Sequence, residues 1–265
     1  MQLGGARALV TGATGGIGHA IARALHERGA RVLLSGRRQD ALEELAARLG
    51  EPAEVVAADL AERDGPTRLA EAAGAVDVLV ANAALPASGR VEDFDHDEID
   101  RALDVNLRVP IMLAKLLSEG MAARGHGHLV FVSSMSGKAA TVGGSVYSAT
   151  KFGLRGFSLG LREDLRDSGV GVSTVFPGFI SDAGMFHESG ARLPGYVPTR
   201  TPEDVAAGVV RAIERNRSEV DVAPLSMRLG AAASGLIPEL AGRIQRRLGS
   251  RAIADEMAEG QREKR

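Results

Sequence analysis

Two side chains stand one helical turn apart in the run Tyr147-Ser148-Ala149-Thr150-Lys151. If that run is helical, a phenol and an ammonium project from one face. A phenol ordinarily ionises near ~10, and a neighbouring positive charge favours the phenolate and lowers that value. The pair is therefore expected to work as an acid/base near neutral pH. The chain holds 2 Tyr and only 4 Lys against 28 Arg, so chance pairing is a poor explanation. The competing reading is an exposed helical pair with no role.

The second group is Thr11-Gly12-Ala13-Thr14-Gly15-Gly16-Ile17-Gly18, placed between an apolar run and a helical pattern. Backbone N–H groups at a helix N-terminus attract phosphate, and glycine permits close approach. The spacing fits G-x-x-x-G-x-G through Gly12, Gly16 and Gly18, and equally G-x-x-G-x-x-G through Gly12, Gly15 and Gly18. The end of the second apolar run reads Leu34-Ser35-Gly36-Arg37-Arg38, without a carboxylate. A carboxylate there would take the ribose hydroxyls of NAD, whereas an Arg suits the additional phosphate of NADP. NADP(H) is thus expected over NAD(H), with Arg37 as main contact and Arg38 and Thr14 assisting.

Composition excludes several alternatives. The chain has 265 residues, is 45% hydrophobic and carries a formal net charge of -2. That length buries a sizeable core, and the charge argues against a nucleic-acid partner held by bulk electrostatics. With 0 Cys, disulfides, zinc–thiolate sites and cysteine nucleophiles are ruled out, and a reducing cytoplasm is compatible. No leader-like segment and no apolar run of the ~20 residues needed to span a membrane is expected.

Strands are expected at Arg7–Thr11, Arg31–Ser35, Glu54–Asp59, Val76–Ala81, His128–Ser133, Val170–Phe176 and Glu219–Val222. Helical patterns cover Ile17–Arg28, Ala41–Leu49, Pro66–Ala73, Asp97–Ala123, Val146–Asp167 and Pro202–Arg215. Val- and Leu-rich strands without strict alternation predict burial on both faces, as in a parallel sheet. The repeating order predicts an α/β, doubly wound parallel sheet of about seven strands, with helices on both faces. Asp95 with Glu98, and Thr201 with Pro202, read as helix starts, and Gly29 as a helix stop. Residues 1–223 read as one dinucleotide-binding and catalytic domain, and 224–265 as its C-terminal helical extension. Within it, Leu236, Leu240, Ile244 and Leu248 form an apolar stripe beside Arg243, Arg246 and Arg247, expected to dock on the body, a second subunit or a membrane surface. The charged end Glu259–Arg265 is expected to fray. Ser181–Arg200, with Met185, Phe186, Leu193 and Tyr196, reads as a partly apolar loop and candidate lid.

With these residues assembled, the chain resembles the single-domain short-chain dehydrogenases/reductases. The resemblance rests on Thr11–Gly18, Asp59-Leu60, Asn82-Ala83-Ala84, Asn106, Ser134, Tyr147-x-x-x-Lys151 and Pro177-Gly178, and covers about residues 5–222. It implies a Rossmann fold and a site in which Asn106, Ser134, Tyr147 and Lys151 are catalytic. Ser134 would hold the substrate oxygen, and Asn106 would kink its helix and hold a water linking Lys151 to solvent. Lys151 would also bind the nicotinamide ribose. Asp59 and the Leu60 backbone would meet the adenine. Asn82, with Ala83 and Ala84, would border the adenosine ribose. Pro177, Gly178 and Ile180 would border the nicotinamide. Ala84 stands where the family usually has Gly, and Ser181-Asp182 where it often has Thr. Homodimers or homotetramers through Asp97–Ala123 and Val146–Asp167 are implied.

The expected function is an NADP(H)-dependent oxidoreductase that moves hydride between nicotinamide and the carbonyl or secondary alcohol of a small, largely apolar substrate. The alternatives are a same-fold isomerase, dehydratase or epimerase, or a non-catalytic NADP(H)-binding sensor or scaffold. No metal site is expected, and His126-Gly127-His128 reads as a surface turn. Ser133, Ser134 and Ser136 have no hydrolase context.

Overall fold

The computed structural model describes residues 1–195, 197–237, 239 and 250–262. Seven parallel strands form one sheet: β1 (Arg7–Thr11), β2 (Arg31–Gly36), β3 (Ala53–Ala57), β4 (Val78–Ala81), β5 (Gly127–Val132), β6 (Val170–Pro177) and β7 (Glu219–Val222). Their order is β3-β2-β1-β4-β5-β6-β7. The central strands β4, β5 and β6 are buried along their whole lengths, which is why their sequences are apolar without alternation. On one face Ala8, Val10, Val80 and Val130 pack with α1 (Gly16–His26) and α8 (Pro202–Glu214). On the other, Leu9, Leu79, Leu129 and Phe131 pack with α3 (Gly65–Ala73), α5 (Val109–Arg124) and α6 (Ser145–Asp164). The doubly wound α/β sheet expected from the sequence is the fold of the chain. The remaining described helices are α2 (Gln39–Leu49), α4 (His96–Leu103), α7 (Gly184–Glu188), α9 (Leu225–Leu236) and α10 (Ser250–Gln261).

Local chemistry sets the ends of these helices. At α4 the Asp95 carboxylate accepts from the Glu98 N–H at 2.7 Å, and Glu98 accepts from the Asp95 N–H at 3.0 Å. Thr201 and Asp204 make the same reciprocal pair before α8, with Pro202 at its start. Gly29, at φ +79, closes the first helix, its N–H donating to the His26 carbonyl at 2.8 Å.

The pattern Asp97–Ala123 is not one helix. It divides into α4, a π-helical turn over Asp104–Arg108 and α5. Pro110 has no N–H to give to the carbonyl of Asn106 four residues earlier, and its ring crowds that carbonyl, so the regular ladder breaks there. Strand β3 ends at Ala57 and leaves Asp59 in the following loop.

Two further expectations are corrected. His128 does not lie in a surface turn: it is 1% exposed in β5. Its Nε2 donates to the Ser173 hydroxyl at 2.8 Å, because that hydroxyl is itself spent on the Arg217 carbonyl at 2.6 Å. Only His126 is exposed, 3.2 Å from Asp77. The chain end does not fray over Glu259–Gln261, which is helical, because Gln261 is 2% exposed and docked on the body. The stripe Leu240, Ile244, Leu248 with its arginines, and Tyr196, lie outside the described residues, and of Leu236 only the helical backbone is described. No helix among the described residues is long and apolar enough to cross a membrane.

Burial holds the His128 imidazole down at about 3, with the Arg162 charge adding to the effect. The unfolded chain takes up this proton below 6.5 and the folded chain only near 3, so the contribution to stability is present above that window and is lost as pH falls through it. The unfolding free energy of the natural chain minus that of His128→Gln should fall by about 1.4 kcal/mol per unit between roughly pH 6 and 4. A pH-independent difference in urea titrations would show that His128 protonates freely.

Candidate active site

Strands β1 and β4 are neighbours from which the connections run to opposite sides of the sheet, so a crevice opens at their carboxyl ends. A cluster of hydrogen bonds ties the two ends together. The Thr11 hydroxyl accepts from the N–H groups of Asn82 and Ala83, both at 3.0 Å. The Asn82 side-chain amide donates to the Thr11 carbonyl at 3.0 Å and the Gly12 carbonyl at 3.3 Å. The glycine turn is thereby fixed against β4.

The geometry decides between the two glycine spacings. Gly12 adopts φ +64 against the backbone of Ala83. A Cβ on Gly18 would stand 2.1 Å from the Gly12 carbonyl oxygen, and one on Gly16 would stand 2.3 Å from the Ala183 Cβ. On Gly15 it would meet nothing closer than 3.5 Å. Glycine is therefore required at 12, 16 and 18, with α1 opening directly from the turn.

A cavity of about 1590 Å³ runs from Arg37 and Arg38 past the glycine turn to Tyr147 and beyond. A site for one ligand is ordinarily about 300–1,000 Å³, so this cavity has room for two ligands end to end. Its walls include Gly12, Thr14, Gly15, Gly16, Ile17, Gly18, Asp59, Leu60, Asn82, Ala83, Ala84, Pro177, Gly178 and Ile180, together with Ser134, Tyr147 and Lys151. Arg37 and Arg38 are exposed, and among the described residues neither has an ion-pair partner. Asp59 uses one carboxylate oxygen to accept from the Ala61 N–H at 2.9 Å. Ser181 and Asp182 do not line the cavity, whereas Ala183 does. The Ser181 hydroxyl donates to the Arg200 carbonyl at 3.3 Å, and Asp182 sits at φ 62.

Helix α6 carries Tyr147 and Lys151 on one face, as their spacing requires. Lys151 is 2% exposed. Its ammonium donates to the Val132 carbonyl at 3.3 Å and lies 5.5 Å from the centre of the Tyr147 ring. The half-buried Tyr147 ring packs against Ala87, Phe94, Ala102 and Val146. Ser134, at the end of β5, accepts from the Ser136 N–H at 3.1 Å and hydrogen-bonds the Tyr147 phenol. The adjacent Ser133 hydroxyl donates to the Lys151 carbonyl at 3.2 Å, fastening α6 to the strand end. Asn106 stands in the π-helical turn, 1% exposed, and does not line the cavity. Its amide accepts from the Leu85 N–H at 2.6 Å and donates to the Leu85 carbonyl at 2.8 Å.

The electrostatics of the pair reverse the expectation from its spacing. Burial pushes the Tyr147 phenol up to about 12, and the hydrogen bond with Ser134 offsets only part of this. Burial also pushes the Lys151 ammonium down to about 8. Loss of water around a phenolate is the dominant effect, and Tyr147 is a neutral proton donor.

Some residues at the site owe their roles to the fold and carry no signal in the sequence. Val132 acts through its carbonyl, so its side chain gave no signal. Phe179, Met227, Ile253 and Met257 line the cavity from segments far apart in the chain.

Comparison with known proteins defines the class. The chain belongs to the short chain dehydrogenase family, whose model matches residues 6–193, and it is an oxidoreductase of that family. It is 41% identical over 189 residues to nodulation protein G of Rhizobium sp. (strain N33), covering 69% of this chain and 76% of that one. It is 33% identical over 231 residues to an uncharacterized oxidoreductase of Staphylococcus aureus (strain MRSA252), covering 82% and 96%. A short-chain dehydrogenase from Sphingobium yanoikuyae, solved in complex with NADPH, superposes with a TM-score of 0.77 at 27% identity, covering 88% of this chain and 96% of that one.

The titration of Tyr147 can be read directly, because the sequence holds 2 Tyr and 0 Trp. The tyrosinate ultraviolet absorbance of the natural chain and of Tyr147→Phe should coincide up to about pH 10 and separate only above it. Separation below that value would show that Lys151 governs the phenol.

Proposed function

We propose that the chain is an NADP(H)-dependent carbonyl reductase or alcohol dehydrogenase acting on a small, largely apolar substrate. The observation that carries the reading is the pair Arg37 and Arg38: two cavity-lining guanidinium groups at the end of β2, where no carboxylate stands. They match the extra phosphate of NADP in charge and geometry. The glycine turn at the start of α1 offers backbone N–H groups to the linking phosphates, and the close approach at Gly12, Gly16 and Gly18 keeps that surface free of side chains. The NADPH held by the Sphingobium relative is consistent with this assignment.

In reduction, NADPH held in this cavity would supply hydride for the carbonyl carbon of the substrate. Tyr147 donates its phenolic proton to the carbonyl oxygen, giving the alcohol. Ser134 holds that oxygen in place and stabilises the charge growing on it. Lys151 lends its positive charge to the phenolate left behind and would also bind the nicotinamide ribose. Asn106 positions Leu85 on the cavity wall through its side-chain amide. Asp59 and the Leu60 backbone would border the adenine, while Asn82, Ala83 and Ala84 would border its ribose. Pro177, Gly178 and Ile180 would border the nicotinamide. Residues 1–223 form the catalytic domain and 224–265 its extension. We place the protein in the cytoplasm as a homodimer or homotetramer. The support for assembly is α6, where Phe152 and Leu159 are 41% and 40% exposed beside the bare backbone of Gly156 and Gly160.

The test is NADPH oxidation with a panel of ketones and quinones. Tyr147→Phe should lose about a hundredfold to ten-thousandfold in kcat while binding NADPH normally. Arg37→Ala should weaken NADPH binding by about ten- to a hundredfold, the worth of a charged hydrogen bond, and leave NADH binding nearly unchanged. Tighter binding of NADH than NADPH by the natural chain would overturn the cofactor assignment. Cofactor binding with no turnover across the panel would favour a sensor.

A further inference from the structure

Helix α10 lies beyond residue 193, where the family match ends, yet it reaches the chemical end of the cavity. Gln261 donates its amide to the Met185 carbonyl at 3.1 Å, and Glu256 accepts from the Arg192 N–H at 3.0 Å. A Cβ on Gly260 would stand 1.9 Å from the Ser189 carbonyl oxygen, so the helix backbone lies directly on the chain that ends α7. At the other side, Ala254 Cβ is 3.1 Å from the position a Cβ on Gly143 would take. Gly143 belongs to the turn that leads into α6 and Tyr147. The helix therefore bridges the lid segment and the turn before the phenol, and Ile253, Ala254 and Met257 face the cavity between them.

The chamber beneath it is apolar. Phe179, Met185, Phe186 and Met227 stand on its other walls. The charged residues among the lining there, Arg101 and Glu188, each engage a partner within the protein. A charged substrate group buried under this roof would be desolvated without a free counter-charge assigned to it.

Resting on the reductase reading above, we propose that α10 is the roof of the substrate chamber. Ile253, Ala254 and Met257 are specificity-determining residues that select uncharged carbonyl compounds with an extended apolar portion. The carbonyl meets Ser134 and Tyr147, and the apolar portion lies against α10. Hydride and proton transfer are those already described, and α10 takes no part in them.

The test compares 2-decanone with 2-butanone in the full-length chain. Met257→Asp should lower kcat/KM for 2-decanone about tenfold or more, by placing a charge in the apolar wall. It should leave 2-butanone and NADPH affinity within about twofold, and Met257→Leu should behave as the natural chain does. Equal losses for both ketones, or no loss for either, overturn the roof. Calorimetric binding of 2-decanone to the protein loaded with NADP+ separates this inference from the reductase reading. If the natural chain reduces neither ketone, the reductase reading fails. The roof still stands if 2-decanone binds and Met257→Asp weakens that binding about tenfold, and it falls if 2-decanone does not bind or binds both proteins equally.

Discussion

Everything at the site hangs on the join between the ends of β1 and β4. A parallel doubly wound sheet must part its connections somewhere, and here they part at these two strands. The parting leaves backbone groups without sheet partners, and an unpaired buried carbonyl or N–H costs about 1–3 kcal/mol. Thr11 and Asn82 satisfy them with one hydroxyl and one amide. The same bonds fix the glycine turn that opens α1. They also start the segment Asn82–Leu85, whose far end is gripped by Asn106. One small polar cluster thus sets the floor of the cavity from the phosphate turn to the edge of the chemical site.

The second organising feature is the cost of burying a cation. Lys151 is nearly inaccessible, and among the described residues the only hydrogen bond of its ammonium is to the Val132 carbonyl. Burial therefore lowers its affinity for a proton while raising that of Tyr147. The two shifts bring the groups into a state suited to proton donation: an intact phenol next to a cation that favours the anion it becomes. The docking of α6 on the strand end through Ser133 holds this pair in place.

Much of the fold was legible because a buried parallel strand must be apolar on both faces and an amphipathic helix must repeat near every fourth residue. All seven strands could be read to within a few residues for that reason. The break at Pro110 carried its own signal, a residue without an N–H inside a helical pattern, and the apolar periodicity masked it. His128 was misread because its neighbours His126 and Gly127 look like a turn, whereas its Ser173 partner lies 45 residues on. In the site, Tyr147, Lys151 and the glycines stood out through spacing. The sign of the phenol's shift did not, since it depends on how much water the packed chain removes. The roof of the chamber was illegible for a related reason: Ile253 and Met257 meet Gly143 and Met185 only through tertiary docking.

The central claim is that this chain moves hydride, with Tyr147 giving the proton. The most direct measurement supplies NADPH carrying deuterium at the transferable position and follows the mass of the alcohol formed from an apolar ketone. The account predicts one deuterium on the carbinol carbon, formed by the natural chain and not by Tyr147→Phe. Bound NADPH with unlabelled product, or labelled product formed equally well by Tyr147→Phe, would contradict it.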